Sequence, residues 1–371
     1  MNRRIVLGII GLSLLARSAA AAEVISADHK AKFLKSQKAA VAYLLKNQAA
    51  DGSWGAERAN PAVTGLAVRA LLGAGVDAKS AEIAKALTYL RKFAQPDGAI
   101  SRDLLRNYST AICLMAFHAA GQAEDKTIIK KAQECLIKGQ YGHEEHVDEF
   151  KNPKNPWFGG NGYGSHAGRP DLSNTQLMLE ALHESGLPKD HPAWQRAIKF
   201  LERCQARAES NDQPWAKTAG DEGGFVYDIT DSKAPKVIGP DGVERLRTYG
   251  SMTYAGFKSF LYCGVKKDDP RVKSSYEWIR RNYALNENPF MGKQGLFYYY
   301  HTFGKALAAW GEPTVKDARG GVHNWREELI DAIALQQKED GSFVNATDRW
   351  MEGDPRLATS FILLAMEECG K

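Results

Sequence analysis

Six glycines set the frame of this sequence, because each closes an apolar helical run at the same distance from the same kinds of residue. They are Gly75, Gly121, Gly186, Gly264, Gly311 and Gly370. Eleven residues before them stand Thr64, Thr110, Thr175, Thr253, Tyr300 and Thr359. Five before stand Ala70, Ala116, Ala181, Ser259, Ala306 and Ala365, all small. Four before stand Leu71, Phe117, Leu182, Phe260, Leu307 and Met366, all large and apolar. Agreement at four positions over six copies defines an internal repeat. A small residue lets helices approach closely, a large one fills the shared core, and a Thr in the first turn can bond backbone there.

The opening copy, residues 41–75, shows the unit. A helix carrying Val41, Leu44 and Leu45 runs to Gln48 and stops at Asp51-Gly52, Trp54 follows, and Asn60-Pro61 opens a second helix. The six helical hairpins span roughly 36–75, 81–121, 127–186, 192–264, 270–311 and 324–370, with residues 23–35 as a polar lead-in. Hairpins that close on one another bury one continuous core, so one domain is expected over 23–371. Long loops interrupt the third copy (139–169) and the fourth (209–247), on the same side of the repeat. Loops longer than about 15 residues in a compact domain are usually functional.

Residues 1–22 stand apart. Arg3 and Arg4 precede an apolar run from Ile5 to Leu15, and Ala19–Ala22 offer small residues for cleavage before Glu23. That pattern predicts a signal peptide and a periplasmic or secreted protein with no transmembrane segment after cleavage. Losing Arg3, Arg4 and Arg17 removes three of the 49 Lys and Arg against 44 Asp and Glu, leaving a balance of +2. Such a charge gives no reason to expect nucleic acid as a partner. The five cysteines form no CxxC pair and read as small core residues.

Gln48-Ala-Ala-Asp-Gly52-Ser-Trp54 and Gln337-Lys-Glu-Asp-Gly341-Ser-Phe343 resemble the glutamine-tryptophan repeats of squalene and hopene cyclases, with Gln95, Gly98 and Ile100 as a degraded copy. The whole mature chain resembles the terpenoid cyclase and protein prenyltransferase superfamily. That resemblance implies an all-α fold, an (α/α)6 toroid of six inner and six outer helices around a central cavity. The second helix of each hairpin then forms the inner ring, and its N-terminus opens at one mouth. Six such termini favour an anionic group there.

The candidate residues follow from that placement. His301 is the one ionisable residue near neutral pH at its position in the six copies. Tyr300-His301-Thr302 looks like the prenyltransferase segment that supplies a zinc-binding histidine. Thr248 to Met252, where that family places an Asp and a Cys, holds no ligand. The Asp-x-Asp-Asp acid of class II cyclases is also missing. We therefore expect no resident metal and no cofactor, although His143, His146 and His166 with nearby acids are conceivable ligands. Catalytic candidates are His301, Asp354 and Tyr300. Substrate-binding candidates are Tyr249, Tyr254, Tyr299, Trp350, His166, Arg169 and Asp171. Asp354 and Asp171 also suit helix N-caps. Three functions remain open: an enzyme acting on an isoprenoid or other apolar substrate, a carbohydrate-active lyase or hydrolase on the same toroid, and a non-catalytic toroid that binds a ligand or partner protein.

Overall fold

A ladder glycine ends its helix because it takes a left-handed backbone without strain. The computed structural model describes residues 25–55, 61–102, 105–164, 168–219, 222–239 and 242–371. Five of the six ladder glycines have φ between 63° and 88°. Gly370, beside the last residue, has φ −86°. The segment expected to be a signal peptide, Asn60 and His166 lie outside the described residues.

The chain alternates outer and inner helices. The outer ones are α1 (Ala27–Lys46), α3 (Ala81–Arg91), α5 (Lys126–Gly139), α7 (Pro192–Cys204), α9 (Pro270–Arg281) and α11 (Trp325–Gln336). The inner ones are α2 (Ala62–Gly73), α4 (Arg106–Ala120), α6 (Leu172–Glu184), α8 (Gly250–Tyr262), α10 (Leu296–Trp310) and α12 (Pro355–Cys369). Each inner helix packs on the next, and α12 packs back on α2. The result is an all-α (α/α)6 toroid. Two short antiparallel ladders, Val237–Ile238 with Glu244–Arg245 and Val315–Lys316 with Val322–His323, sit in loops.

Packing explains the repeat. The twelve small and large ladder residues, from Ala70 and Leu71 to Ala365 and Met366, have no exposed surface at all. A helix buried on every side has lost the need for a solvated face, which is why the inner helices read as mostly apolar. The ladder threonines do more than bond their own helix. Thr64, Thr110, Thr175, Thr253 and Thr359 accept the backbone N–H of Trp54, Ile100, Asn161, Phe225 and Phe343, at 2.9–3.1 Å. Each therefore pins the loop that enters its helix. In the fifth copy Tyr300 replaces Thr, and its hydroxyl donates to Leu285 O instead.

Glutamines stitch neighbouring hairpins together. Gln48 Nε2 donates to Gly52 O of its own loop and to Glu82 O of α3. Gln140 bonds Gly159 O and Ala193 O of α7 in the same way, and Gln205 bonds Gly223 O and Arg271 O of α9. Gln337 completes the circle, donating to Gly341 O and to Ser36 O of α1 at 3.0 Å each. Gly341 must be glycine here, since a Cβ would lie 2.4 Å from Ala39 O, at φ 89°. The Gln337→Leu variant strands two carbonyls at the seam. It should lose about 1–2 kcal/mol, seen as a lower urea midpoint with an unchanged slope.

The lead-in differs from expectation. Helix α1 starts at Ala27 rather than near residue 36, capped by Ser26, whose hydroxyl accepts from His29 N. Its first turns dock on the sixth hairpin through Lys32–Asp331 and through Ser26 N donating to Glu327. A polar composition hid this, because the segment seals a ring by ion pairs and buries only Phe33.

Candidate functional site

Two residues before each ladder Thr stand Ala62, Tyr108, Ser173, Ser251, Tyr298 and Leu357. All six line a single cavity of about 560 Å³ at the N-terminal ends of the inner helices. One turn deeper, Ile112 and Phe361 narrow it. Loops supply the rest of the wall: Tyr163 and Tyr227 from the third and fourth insertions, Tyr249 at the start of α8, and Arg349 to Glu352 before α12. The lining is mainly aromatic and aliphatic. Trp350 and Met351 are 38% and 50% exposed and mark the rim. Two cations stand with them. Arg349 lies over Trp350 and donates to Lys233 O and Gln294 Oε1; Lys233 lies over Tyr227 and pairs with Asp231.

The ring is plugged beneath the cavity. Five residues after the ladder position stand Arg69, Glu180, Lys258 and Lys305, with Met115 and Leu364 in the other two copies. Arg69 pairs with Glu184 at 3.0 Å and Glu367 at 2.8 Å. Lys305 reaches Glu184 at 2.5 Å, Glu180 at 3.4 Å and Glu368 at 3.5 Å. Lys258 pairs with Glu180 and donates to Gln176 Oε1 at 2.8 Å. Several of these bonds join helices that are not ring neighbours, such as α2 with α6 and α6 with α10. They cross the hole and close it.

The sequence candidates separate against this geometry. Tyr249 and Trp350 line the cavity. His301 lies below its floor, 3% exposed, with Nε2 3.7 Å from Glu180 Oε1 and Nδ1 without a hydrogen-bond partner. Burial drives its imidazole down to about 3, helped by Lys258 and Lys305 against the pull of Glu180. Tyr300 and Tyr299 do not reach the cavity; their hydroxyls donate to Leu285 O and Ala284 O. Tyr254 is buried against Tyr299 and Phe303. These three point into the wall between helices, whereas the residues two before and five after the ladder position supply the cavity lining and the ion pairs beneath it. Asp354 caps α12 by accepting from Arg356 N and pairs with the Arg356 guanidinium. Arg169 stacks over Trp157 outside the cavity lining. His143 and His146 fall in a turn, not a helix, and no group of three possible metal ligands converges among the described residues.

The helix N-termini at the mouth correct another expectation. Four of the six are already filled by the protein's own side-chain oxygens. Asp171 caps α6, Asn288 Oδ1 accepts from Ser251 N at α8, and Glu352 Oε1 accepts from Tyr298 N at α10. With Asp354 on α12, four dipoles are spent on internal groups.

Asp171 carries the most useful ionisation. It is 2% exposed, and burial pushes its carboxyl up to about 7, against hydrogen bonds from Asn174 and Tyr227 that pull the other way. Tyr227 stands between it and the cavity. Glu352, 1% exposed, lies in the wall itself and is raised by burial, with the α10 N-terminus and Asn345 opposing. A carboxyl that titrates near neutral pH suits proton transfer to or from an oxygen. Sequence reading missed Glu352 and Tyr227 but singled out Tyr298, with Tyr299 and Tyr300, as an aromatic that could stack on a ligand. Only Tyr298 carried a signal, its register two before the ladder position.

No family model and no curated protein matches this chain. Solved structures do. The apo form of the type II terpene cyclase MstE from Scytonema is similar over 92% of this chain and 98% of its own, with a TM-score of 0.55 at 13% identity. The GH76A α-1,6-mannanase from Salegentibacter sp. HEL1_6 matches 91% of this chain and 98% of its own, with a TM-score of 0.54 at 10% identity. A protein from Actinoplanes matches with a TM-score of 0.53 at 16% identity, over 91% of this chain and all of its own. These likenesses establish the toroid fold that terpene cyclases and glycosidases share.

Proposed function

We propose that the chain is an exported enzyme that admits an apolar, isoprenoid-like ligand end-first into the central cavity. Asp171, acting through Tyr227, and Glu352 serve as its proton-transfer groups. The observation that carries this reading is the cavity: about 560 Å³, walled by Ile112, Met252, Leu357, Phe361 and five tyrosines, and closed below by ion pairs. Its volume is typical of small-molecule sites, roughly 300–1,000 Å³. A dead-ended hole suits a ligand that enters by one end. A polysaccharide, gripped along its length, suits an open cleft. Lys233 and Arg349 at the rim are placed to meet a polar or anionic end that stays outside. The export signal Arg3–Ala22 supports the location.

The test incubates protein beginning at Glu23 with polyprenyl alcohols and diphosphates and, separately, with mannans and other polysaccharides, following products by mass spectrometry. We expect conversion of a prenyl compound, and the Asp171→Asn variant should lower that turnover about 100-fold while retaining binding. Release of sugars instead, or binding without turnover, overturns the reading in favour of a glycan enzyme or a carrier.

A further inference from the structure

The tyrosine hydroxyls of the cavity are not equivalent. Tyr298 is bonded from behind by Gln176, whose Nε2 donates to its oxygen at 3.1 Å. An amide can present either end, and here the choice is fixed. Gln176 Oε1 accepts from Lys258 Nζ at 2.8 Å, and Lys258 is an ammonium because it pairs with the buried Glu180. An ammonium has only donors, so the amide oxygen must face Lys258 and the amide nitrogen must face Tyr298. The Tyr298 oxygen is thereby an acceptor toward the protein, and its own proton must go elsewhere. Among the described residues its other hydrogen-bond partner is Ser173 Oγ, at 3.3 Å. That is long for an O–H···O bond, which is commonly near 2.7–2.8 Å, and Ser173 can itself donate. Tyr108 and Tyr249 border the same part of the cavity.

From this arrangement we infer that Tyr298 offers its O–H into the cavity as a hydrogen-bond donor, so that the ligand is an isoprenoid-type molecule bearing an oxygen acceptor, such as an alcohol, ketone or epoxide, on the part that enters. The inference rests on the proposed function and narrows its substrate class. Glu180, Lys258 and Gln176 are positioning residues, and Tyr298 is the group that touches ligand. A plain hydrocarbon leaves the donor unsatisfied in an apolar enclosure, which costs binding. Burial holds the phenol far above its usual range, so Tyr298 binds and polarises the ligand oxygen while remaining protonated.

The experiment measures binding of three matched probes of equal chain length in detergent micelles: a polyprenyl ketone, the corresponding alcohol and the hydrocarbon. Quenching of intrinsic tryptophan fluorescence reports the affinity. In the wild type we expect the oxygenated probes to bind about tenfold tighter than the hydrocarbon. Tyr298→Phe should bring all three to one affinity, with hydrocarbon binding retained as proof of an intact cavity. Gln176→Glu tests the orientation separately. Its carboxylate accepts from Lys258 and from the Tyr298 hydroxyl, which turns the proton away from the cavity and should also erase the preference. Equal affinities in the wild type, or a preference that survives Tyr298→Phe or Gln176→Glu, overturn the inference and leave the proposed function standing. Binding of no probe by the wild type overturns both.

Discussion

Glu180→Leu should leave the toroid about 3–5 kcal/mol less stable at pH 7, the usual cost of stripping one partner from a buried ion pair. Glu180 is 1% exposed and is approached by Lys258, Lys305 and His301. The two lysines are not equally dependent on it. Lys305 keeps Glu184 at 2.5 Å and Glu368 at 3.5 Å, so its charge remains compensated. Lys258 has no other carboxylate partner among the described residues and is wholly buried. Burial already pulls its ammonium below the usual range, and Glu180 pulls it back. Most of the loss should therefore come from Lys258. Adding Lys258→Met to Glu180→Leu should recover at least half of it, as urea denaturation of the single and double variants would measure. A double variant no more stable than Glu180→Leu alone would mean that Lys305 bears the cost.

The second large effect appears on acidification. His301 has a folded-state value lowered to about 3, beneath its ordinary 6.5. Below pH 6.5 the unfolded chain takes up a proton that the folded chain refuses. The contribution of this residue to stability should then fall as pH drops from 6.5 toward 3, by up to about 1.4 kcal/mol per pH unit. The groups facing it are Glu180 and Glu184 from α6, Lys258 from α8 and Lys305 from its own helix. Glu180 and Glu184 are themselves held low, Glu184 to about 2 after burial is outweighed by Lys305 and Arg69. Their contribution is complete above pH 4.5 and declines below it. The two causes thus occupy different windows. Asp171, raised to about 7, acts in the opposite sense over the same window and does so in both proteins. The melting temperature of a His301→Leu variant should therefore climb relative to that of the wild type as pH falls from 6.5 to 4.5, and both should lose the carboxylate contribution below 4.5. Parallel curves throughout would show that His301 is not the proton acceptor.

The fold was readable because packing repeats itself. A position that must be small or must be large between two helices admits few residue types, so Ala70 through Ala365 and Leu71 through Met366 stand out against any background. The glutamine stitch was half readable. Gln48 and Gln337 lie four residues before their glycines, whereas Gln140 and Gln205 make the same bonds across 19 and 18 residues, and the insertions conceal them. The cavity was harder. Ala62, Tyr108, Ser173, Ser251, Tyr298 and Leu357 share a register and nothing else, since a ligand meets six different walls rather than one repeated contact. The plug left a visible trace that went unread: Arg69, Glu180, Lys258 and Lys305 are charges inside otherwise apolar helices, at a single register. Glu352 left none, because it reaches the N-terminus of α10 from a loop with no recurring spacing.

Closure of the sixth hairpin on the first has an evolutionary consequence. An open stack of repeats can lengthen or shorten at its ends, and it needs special units there to shield the exposed faces. A circle has neither freedom nor need. A seventh hairpin would find no gap between α12 and α2, and removing one would part Gln337 from Ser36. Length can therefore change only in the connections, and the insertions of the third and fourth copies, which carry Tyr163 and Tyr227 to the cavity, lie in the part of the molecule left free to grow.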